Sequence, residues 1–343
     1  MRIIYGVSGE GLGHIFEAIE IVDSLRKAGH EVKVLTYGER ALKILEPYSP
    51  IKIEGIELKF TAKGLSLLDT FFGNLKIFSF YFKNYKNIKS KILYFKPDVF
   101  ITAYEPFTTF ISHVVDKPLI SMDNQSEFLY INYPADLNFF DYILVKWATK
   151  ICTYKATYHI IKSFNKIPMI NKNIFFVDPI IQAETVRSIS VTGEHILVYL
   201  TKENIKLISI LKTIPERFIV YCNNKKGVDE NITYRTIGPS YLEDLRTCKA
   251  IIGTTGFSLI ADSIFLKKPF LGVPLKKQFE QMYNATFLQK SGIGIYIINE
   301  KREEIISFLN NLQKYRQKLM SFDYDAIEQQ LTLLNIIDLI HKK

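Results

Sequence analysis

Residues 3–14 read Ile-Ile-Tyr-Gly-Val-Ser-Gly-Glu-Gly-Leu-Gly-His and predict a buried strand, a glycine-rich turn and the start of a helix. The apolar run at 3–7 is short and does not alternate, as in a strand that is covered on both faces. In the predicted helix, apolar residues recur at the spacing of one helical face, and they are Ile15, Ala18, Ile19, Val22 and Leu25. A second apolar run at 31–36 follows Ala28-Gly29-His30, which ends the helix. This strand–helix–strand order favours a parallel sheet with helices on both faces.

The alternation of strands and helices continues along the chain. In the first half, strands are predicted at 98–102, 118–121, 158–162 and 174–177, with a helix at 134–154. In the second half, strands are predicted at 195–200, 217–221, 232–236, 249–252, 269–273 and 293–297, and helices at 203–212, 240–247, 256–265 and 278–290, with 303–340 mostly helical. The pattern predicts an α/β protein with two doubly wound Rossmann-like domains that face a cleft, where ligands bind at the carboxyl ends of the strands.

The predicted domain boundaries follow changes in composition. We expect an N-terminal domain at 1–182, a polar linker at 183–194 and a C-terminal domain at 195–320. A helical tail at 321–343 could cross back to the first domain.

The overall composition excludes several classes of protein. The chain has 343 residues, of which 48% are apolar. It is therefore not disordered, and its core is large enough to be stable without disulfides or structural metal ions. Three scattered cysteines, Cys152, Cys222 and Cys248, fit neither a disulfide scaffold nor a zinc site. We expect no signal peptide and no membrane-spanning helix, and therefore a cytoplasmic location.

The positive charge is concentrated in one segment. Residues 59–96 contain eight lysines and a single acid, Asp69, so they carry +7 of the formal charge of +9, and they also hold ten aromatic residues. Interleaved lysines and aromatic rings are typical of a segment that lies on an anionic membrane, and the predicted membrane contacts are Phe71, Phe72, Phe78 and Phe82. The alternative is a pair of core helices whose lysines extend to solvent. Nucleic-acid binding is disfavoured, because arginine is scarce here and no accompanying motif is present.

The first glycine-rich loop predicts a phosphate or acceptor site. Its residues Gly9, Glu10, Gly11 and Gly13 allow close approach of a ligand to the backbone at a helix N-terminus. His14 ends the loop, and the positive end of the helix dipole should disfavour a protonated ring, so His14 is a candidate base. The alternatives are a capping or packing histidine, or a dinucleotide-binding fingerprint in which His14 would replace the third small residue.

A second glycine loop follows the strand predicted at 249–252. The residues that we expect to form an anion site there are Thr254, Thr255, Gly256, Phe257 and Ser258. Asp262 follows within two helical turns and could accept hydrogen bonds from a ribose. Glu280 and Gln281 begin the helix after Pro274 and could bind sugar hydroxyls. The alternative is that these polar residues simply cap helices.

Together these motifs resemble those of GT-B fold inverting glycosyltransferases. The similar families are MurG, the eukaryotic chitobiose-forming N-acetylglucosaminyltransferase and the UDP-glucuronosyltransferases. The resemblance rests on the first loop ending in His14 and on the ordered series Gly256, Asp262, Pro269, Pro274 and Gln281-Met282-Tyr283-Asn284-Ala285. It covers both halves of the chain.

The resemblance implies a role for each matching residue. His14 would be, or would help align, the base for the acceptor hydroxyl. The loop 253–258 would hold the diphosphate, Asp262 the ribose, and Glu280 with Gln281 the donor sugar. The segment 236–240, represented by Ile237, would bind uracil through its backbone. Two departures are the aspartate at 262, where the families usually have glutamate, and the acidic Glu10 in the first loop.

Three further polar residues are placed at carboxyl ends of predicted strands. Glu105 is a candidate catalytic base or acceptor ligand, and Asp123 and Asn124 are candidates for the acceptor side; each could instead cap the next helix. The triplet Asp323-Tyr324-Asp325 resembles a metal-binding DxD, but it is interpreted as a helix cap.

The sequence therefore predicts an inverting glycosyltransferase that moves N-acetylglucosamine or a hexose from a UDP-sugar to a lipid-linked acceptor, with no metal and no cofactor. The protein would lie peripherally on the cytosolic face of a membrane. The alternatives are a UDP-sugar 2-epimerase of the same fold and a non-catalytic partner that recruits a glycosyltransferase to the membrane.

Overall fold

The computed structural model describes residues 1–55, 60–61, 64–65, 73, 86–165, 167, 171–201, 204–222, 225–238, 240–275, 277–325 and 327–342. The chain divides into two compact units, Met1–Ile180 with Asp325–Lys343, and Ile181–Tyr324. The predicted membrane contacts Phe71, Phe72, Phe78 and Phe82 lie outside the described residues.

The strands of the N-terminal unit are β1 (Arg2–Val7), β2 (Glu31–Thr36), β3 (Ile51–Lys52), the hairpin β4 (Phe60–Thr61) and β5 (Gly64–Leu65), β6 (Val99–Ala103), β7 (Leu119–Asp123), β8 (Tyr158–Lys162) and β9 (Ile174–Val177). Its helices are α1 (Leu12–Lys27), α2 (Glu39–Ile44), α3 (86–95), α4 (Pro106–Val114), α5 (Phe139–Cys152) and α13 (Glu328–His341), with 3-10 turns at Glu46–Tyr48 and Gln125–Leu129. Seven strands form one parallel sheet in the order β3-β2-β1-β6-β7-β8-β9.

Alternate residues of this sheet pack into two separate cores. Ile3, Val34 and Ile101 face a cluster that also contains apolar residues of α1 and α13. Ile4 and Phe100, one residue out of phase, face a cluster formed with α3 and α4. The period of two along a strand explains this division, and it matches the absence of polar alternation in the sequence of β1.

The C-terminal helix belongs to the N-terminal unit. Leu333, Ile336 and Ile337 of α13 are buried in the same core as α1. The Asp178 carboxylate accepts a hydrogen bond from the Asp325 backbone amide (2.9 Å), and the Asp178 amide donates to the Glu328 carboxylate (2.7 Å). The chain thus returns to the first unit at residue 325, four residues after the expected start of the tail at 321.

The C-terminal unit is a second α/β domain with its own sheet. Its strands are β10 (His195–Tyr199), β11 (Arg217–Tyr221), β12 (Gly227–Asp229), β13 (Ile232–Arg235), β14 (Ala250–Gly253), β15 (Phe270–Gly272) and β16 (Gly294–Tyr296), paired in the order β12-β13-β11-β10-β14-β15-β16. Its helices are α6 (Ala183–Arg187), α7 (Ile205–Lys212), α8 (Ser240–Thr247), α9 (Phe257–Phe265), α10 (Phe279–Ser291), α11 (Arg302–Asn310) and α12 (Leu312–Leu319). All pairings are parallel except that of the edge strand β12 with β13.

The predicted α/β fold class is confirmed, and one predicted helix boundary needs correction. The helix expected from 134 begins at Phe139, where Asn138 caps it by accepting a hydrogen bond from the Asp141 amide (3.0 Å). The edge strand β12 was not predicted, because three residues are too few to show periodicity. The expected linker at 183–194 contains α6, which belongs to the C-terminal unit.

Candidate active site

The first glycine loop connects the buried strand β1 to α1. Gly11 occupies the N-cap position with a φ of 84°, a conformation that favours glycine. His14 is the third residue of α1 and is half-buried. The structure therefore places His14 in the first turn of a helix at the carboxyl end of a central strand, as the sequence predicts.

The loop fits tightly against the end of β2. A Cβ atom on Gly9 would lie 2.0 Å from the carbonyl oxygen of Tyr37, so only glycine fits there. The hydroxyls of Ser8 and Tyr37 are hydrogen-bonded at 2.9 Å, and the Glu10 amide donates to the Ser8 hydroxyl at 3.3 Å. Burial raises the pKa of the Tyr37 phenol, which therefore stays protonated. Glu10 and Gly13 are half-buried beside this fixed backbone.

Glu105 acts as a helix cap. It is fully buried, and its carboxylate accepts hydrogen bonds from the amides of Phe107 (2.8 Å) and Thr108 (2.6 Å) and from the Thr108 hydroxyl (2.6 Å). Burial raises the pKa of Glu105 to about 7 although these hydrogen bonds lower it. Both carboxylate oxygens thus accept hydrogen bonds inside the protein, as the capping alternative predicts, and a catalytic role for Glu105 stays a prediction.

Asp123 is also a structural carboxylate. It is fully buried and accepts hydrogen bonds from the Ser121 hydroxyl (2.7 Å) and the Ser126 amide (2.6 Å), which fixes the 3-10 turn after β7. Asn124 next to it is buried as well. Contact of this pair with an acceptor stays a prediction.

A buried ion pair near His14 was missed in the sequence. The Lys162 ammonium at the end of β8 bonds the carboxylate of Glu17, which lies one helical turn after His14 in α1. Both side chains are buried, and the pair ties the first turns of α1 to the carboxyl edge of the sheet. The signals in the sequence are weak: Glu17 stands among the apolar positions of α1, and Lys162 ends an apolar strand.

The second glycine loop connects β14 to α9. Gly256 is the N-cap of α9, with a φ of −69°, and it brings no side-chain oxygen to the helix N-terminus. A Cβ atom on Gly256 would meet no atom within 4 Å, so the space beside the loop is open. The Thr254 hydroxyl is hydrogen-bonded to the hydroxyl of Thr201, after β10, at 3.0 Å. A neutral loop with open space at the positive end of a helix suits an anionic group.

The motif Gln281-Met282-Tyr283-Asn284 supports this loop from α10. The Asn284 amide group donates to the Thr255 carbonyl (3.0 Å), and the Thr255 hydroxyl donates to the Gln281 carbonyl (2.7 Å). The side-chain oxygen of Gln281 accepts from the Leu275 amide (2.8 Å). Gln281 and Asn284 are both buried. Their hydrogen bonds hold Thr255 of the loop and the Leu275 backbone in place.

The remaining predicted donor contacts surround the same end of the sheet. Asp262 is buried in the second turn of α9, and its charge, together with burial as the larger cause, raises the pKa of Tyr241 in α8. Ser258 is half-buried in the first turn of α9, and Phe257 is buried. Glu280 is half-buried in the first turn of α10, and Ile237 is half-buried between β13 and α8. Tyr241 and Thr201 interact with residues of this predicted site, and the sequence did not single them out.

Among the described residues, no group of three or more His, Cys, Asp or Glu could hold a metal ion. In the Asp323-Tyr324-Asp325 triplet, the Asp325 carboxylate accepts a hydrogen bond from the Ile327 amide (2.9 Å). This contact lies just before α13 and resembles the helix cap that the sequence predicts. None of the helices described is both long and apolar enough to cross a bilayer.

Known proteins are similar to this chain in sequence and in fold. Residues 1–313 match the model of the family "Glycosyl transferase family 1". An uncharacterized glycosyltransferase of Methanosarcina acetivorans is 22% identical over 335 residues, covering 89% of this chain and 88% of that protein. The UDP-N-acetylglucosamine–N-acetylmuramyl-(pentapeptide) pyrophosphoryl-undecaprenol N-acetylglucosamine transferase of Clostridium botulinum is 23% identical over 383 residues, covering 100% and 99%.

Solved structures give the same fold at low identity. UGT2 of Phytolacca americana, complexed with UDP-2fluoro-glucose and pterostilbene, has a TM-score of 0.72 at 13% identity and covers 100% of both chains. The spinosyn forosaminyltransferase SpnP has a TM-score of 0.67 at 15% identity and covers 99% of both. With the family match over most of its length, the chain belongs to glycosyl transferase family 1 and is a GT-B glycosyltransferase.

Proposed function

We propose that this glycosyltransferase inverts the anomeric centre while moving N-acetylglucosamine or a hexose from a UDP-sugar to a lipid-linked acceptor, at the cytosolic face of a membrane. The observation that carries the donor half of the proposal is the neutral loop from Gly253 to Ser258 at the N-terminus of α9, with open space beside Gly256. Such a loop stabilises the diphosphate that leaves during transfer, and its stabilisation grows as the leaving group gains charge.

The remaining donor contacts are assigned around this loop. Asp262, buried in α9, would accept hydrogen bonds from the ribose hydroxyls, and the backbone near Ile237 would bind the uracil. Glu280 would contact the donor sugar. Gln281 would act mainly as a support, holding Thr255 of this loop and Leu275 of the segment before α10, because its side-chain oxygen is already in use.

The acceptor is activated in the first loop. His14 would remove the proton from the acceptor hydroxyl as that oxygen attacks the anomeric carbon and the UDP leaves in line. The bond to the diphosphate oxygen breaks as the new glycosidic bond forms, so the sugar inverts. The rigid contacts of Gly9 and Ser8 with Tyr37 would keep the Gly9–Gly13 loop in place for this step. Neither a metal nor a cofactor is needed in this proposal.

Two observations support a lipid-linked acceptor: the names of similar proteins and the charge of one segment of this chain. The similar Clostridium botulinum transferases are named for an undecaprenol-linked acceptor. In this chain, residues 59–96 carry most of the net positive charge together with ten aromatic residues, a composition suited to an anionic membrane. Replacement of Phe71, Phe72, Phe78 and Phe82 by serine should therefore weaken vesicle binding, and unchanged binding would remove this support.

A panel of nucleotide sugars tests the donor, and product analysis tests the reaction. A donor at 100 times its Kd should raise the free energy of unfolding by about 2.7 kcal/mol, and we expect this effect from a UDP-sugar. With a polyprenyl diphosphate sugar present, the acceptor should gain one sugar for each UDP released. Release of UDP and free sugar without acceptor would instead indicate a 2-epimerase, and neither binding nor turnover would indicate a non-catalytic partner.

A further inference from the structure

The solvent face of α5 is an apolar ridge. Phe140, Leu144, Trp147 and Ile151 are exposed by 77%, 41%, 62% and 59%. Their spacing of four, three and four residues places them on one side of the helix. A continuous row of large apolar side chains in water is unusual for a soluble surface and marks a place of contact.

The opposite face of α5 is the one that packs on the protein. Tyr142, Thr149 and Cys152 are buried, and the Thr109 hydroxyl of α4 donates to the Cys152 carbonyl. The ring nitrogen Nε2 of His113 lies 2.7 Å from the Tyr154 carbonyl just after α5. The helix is therefore fixed to the unit on one side while its ridge points outward.

Lysines lie along the ridge. Lys150 places its ammonium 5.4 Å from the centre of the Trp147 ring, and Lys155 lies 5.3 Å from the Tyr154 ring. Lys146 lies on the same flank as Lys150 and donates to the Tyr142 hydroxyl at 3.1 Å. With Asp141 as the sole acid from 139 to 155, the helix surface is basic as well as apolar.

The same layer of the fold carries more of this surface. Helices α3 and α4 share a core on the face of the sheet that α5 adjoins through Thr109. Phe110 of α4 and Tyr94 of α3 are exposed, and α3 carries three of the lysines of the basic segment. The helix layer to which α5 belongs thus exposes further aromatic and basic side chains.

We infer that the outer face of α5 docks on a bilayer that contains anionic phospholipid, with Phe140, Leu144, Trp147 and Ile151 in the headgroup–acyl boundary. This inference rests on the proposed membrane-bound acceptor, and it adds a contact element outside residues 59–96. Aromatic rings with lysines on one helix suit a lipid interface because the rings enter the boundary while the ammonium groups meet phosphate.

Trp147 gives a direct measurement, because it is the only tryptophan of the chain. Addition of phosphatidylcholine–phosphatidylglycerol vesicles to the full-length protein should move its emission to the blue and reduce quenching by acrylamide. Brominated lipids should quench it, and vesicles of phosphatidylcholine alone should have a smaller effect. Binding without any change in emission would overturn the inference, as would a Trp147 already shielded from acrylamide without lipid.

Matched variants distinguish vesicle binding through the ridge from nonspecific binding through other exposed apolar residues. Phe140→Gln, Leu144→Gln and Ile151→Gln together keep the Trp147 reporter and the helix, and they should lower vesicle binding about tenfold or more, since three large apolar contacts are lost. The control is Ile205→Gln with Val228→Gln, which removes two strongly exposed apolar residues of the C-terminal unit. The control should bind vesicles normally, and equal loss in both variants would contradict the inference.

Transfer to a short-chain, water-soluble acceptor distinguishes the inference from the proposed function. If the ridge variant keeps full transfer to this acceptor and loses it with acceptor in vesicles, both hold. If it transfers equally well in both settings, the docking surface is wrong and the proposed function stands. If the unmodified protein transfers sugar to neither acceptor, the proposed function itself fails.

Discussion

The two glycine loops solve the same structural problem with different chemistry. Each connects a central strand of a parallel sheet to a helix, and each has glycine at the helix N-cap, Gly11 in one unit and Gly256 in the other. Both N-cap positions are open, and the first loop is crowded only two residues earlier, at Gly9, by the Tyr37 carbonyl. The first carries Glu10 and His14, and the second carries only neutral residues from Gly253 to Ser258.

Under the proposed function, this difference corresponds to a division of labour between the acceptor and the donor. A loop with a histidine in the adjoining helical turn can accept a proton, but its carboxylate makes it a poor site for a phosphate. A neutral loop with hydroxyls and an open approach can hold a diphosphate without a charged side chain. The departure at Glu10, which was difficult to explain as part of a phosphate loop, is consistent with an acceptor role for the first loop.

The largest expected effect comes from the histidine. His14→Ala should lower the rate of transfer by about 10²–10⁴-fold, because a positioned base contributes that much to proton transfer. The rate is measured as UDP released in the presence of acceptor. A variant His30→Ala, at a histidine remote from the loop in sequence, serves as the control and should keep its activity.

The crowding of the first loop predicts a loss of stability. Gly9→Ser should lower the free energy of unfolding by about 3 kcal/mol or more, because its Cβ would meet the Tyr37 carbonyl. Gly256→Ser, at the open N-cap of the second loop, should cost within about 0.5 kcal/mol because serine is a good N-cap. Denaturant unfolding of both variants checks the pair, and equal losses would refute the contrast.

The buried carboxylate behind the first loop predicts a pH dependence. The pKa of Glu105 is about 7 in the folded protein and about 4.3 in an unfolded chain. A pKa raised by folding stabilises at low pH, and this contribution is lost as pH rises through about 7. Relative to Glu105→Gln, the protein should lose about 3 kcal/mol of unfolding free energy between pH 4 and pH 8. Parallel pH profiles of the two proteins would contradict this.

The smallest expected effect is on UDP binding, through the residue proposed to bind the ribose. Asp262→Asn should weaken UDP binding about tenfold, because a hydrogen bond to a charged acceptor is replaced by a weaker neutral one. Calorimetric titration with UDP measures it. Asp323→Asn, at an exposed carboxylate, is the control and should bind UDP normally.

Much of this arrangement could be predicted from local sequence. The apolar runs located the strands, and the glycine loops located the starts of α1 and α9 within a residue or two. The burial and hydrogen-bond partners of Glu105 and Gln281 could not be predicted in this way, because they depend on tertiary packing. The Glu17–Lys162 pair joins residues 145 positions apart, a distance at which spacing carries no signal. The ridge of α5 was overlooked because an exposed apolar stripe and a buried one have the same periodicity.

The division of labour between the loops is tested most directly by measuring the donor Kd and the transfer rate in His14→Ala and Gly256→Ser side by side. His14→Ala should keep the donor Kd of the unmodified protein and lose transfer. Gly256→Ser should raise the donor Kd about tenfold, because its hydroxyl would compete with the diphosphate at the helix N-terminus, while transfer at saturating donor persists. Transfer at the full rate by His14→Ala, or an unchanged donor Kd in Gly256→Ser, would contradict this division of labour.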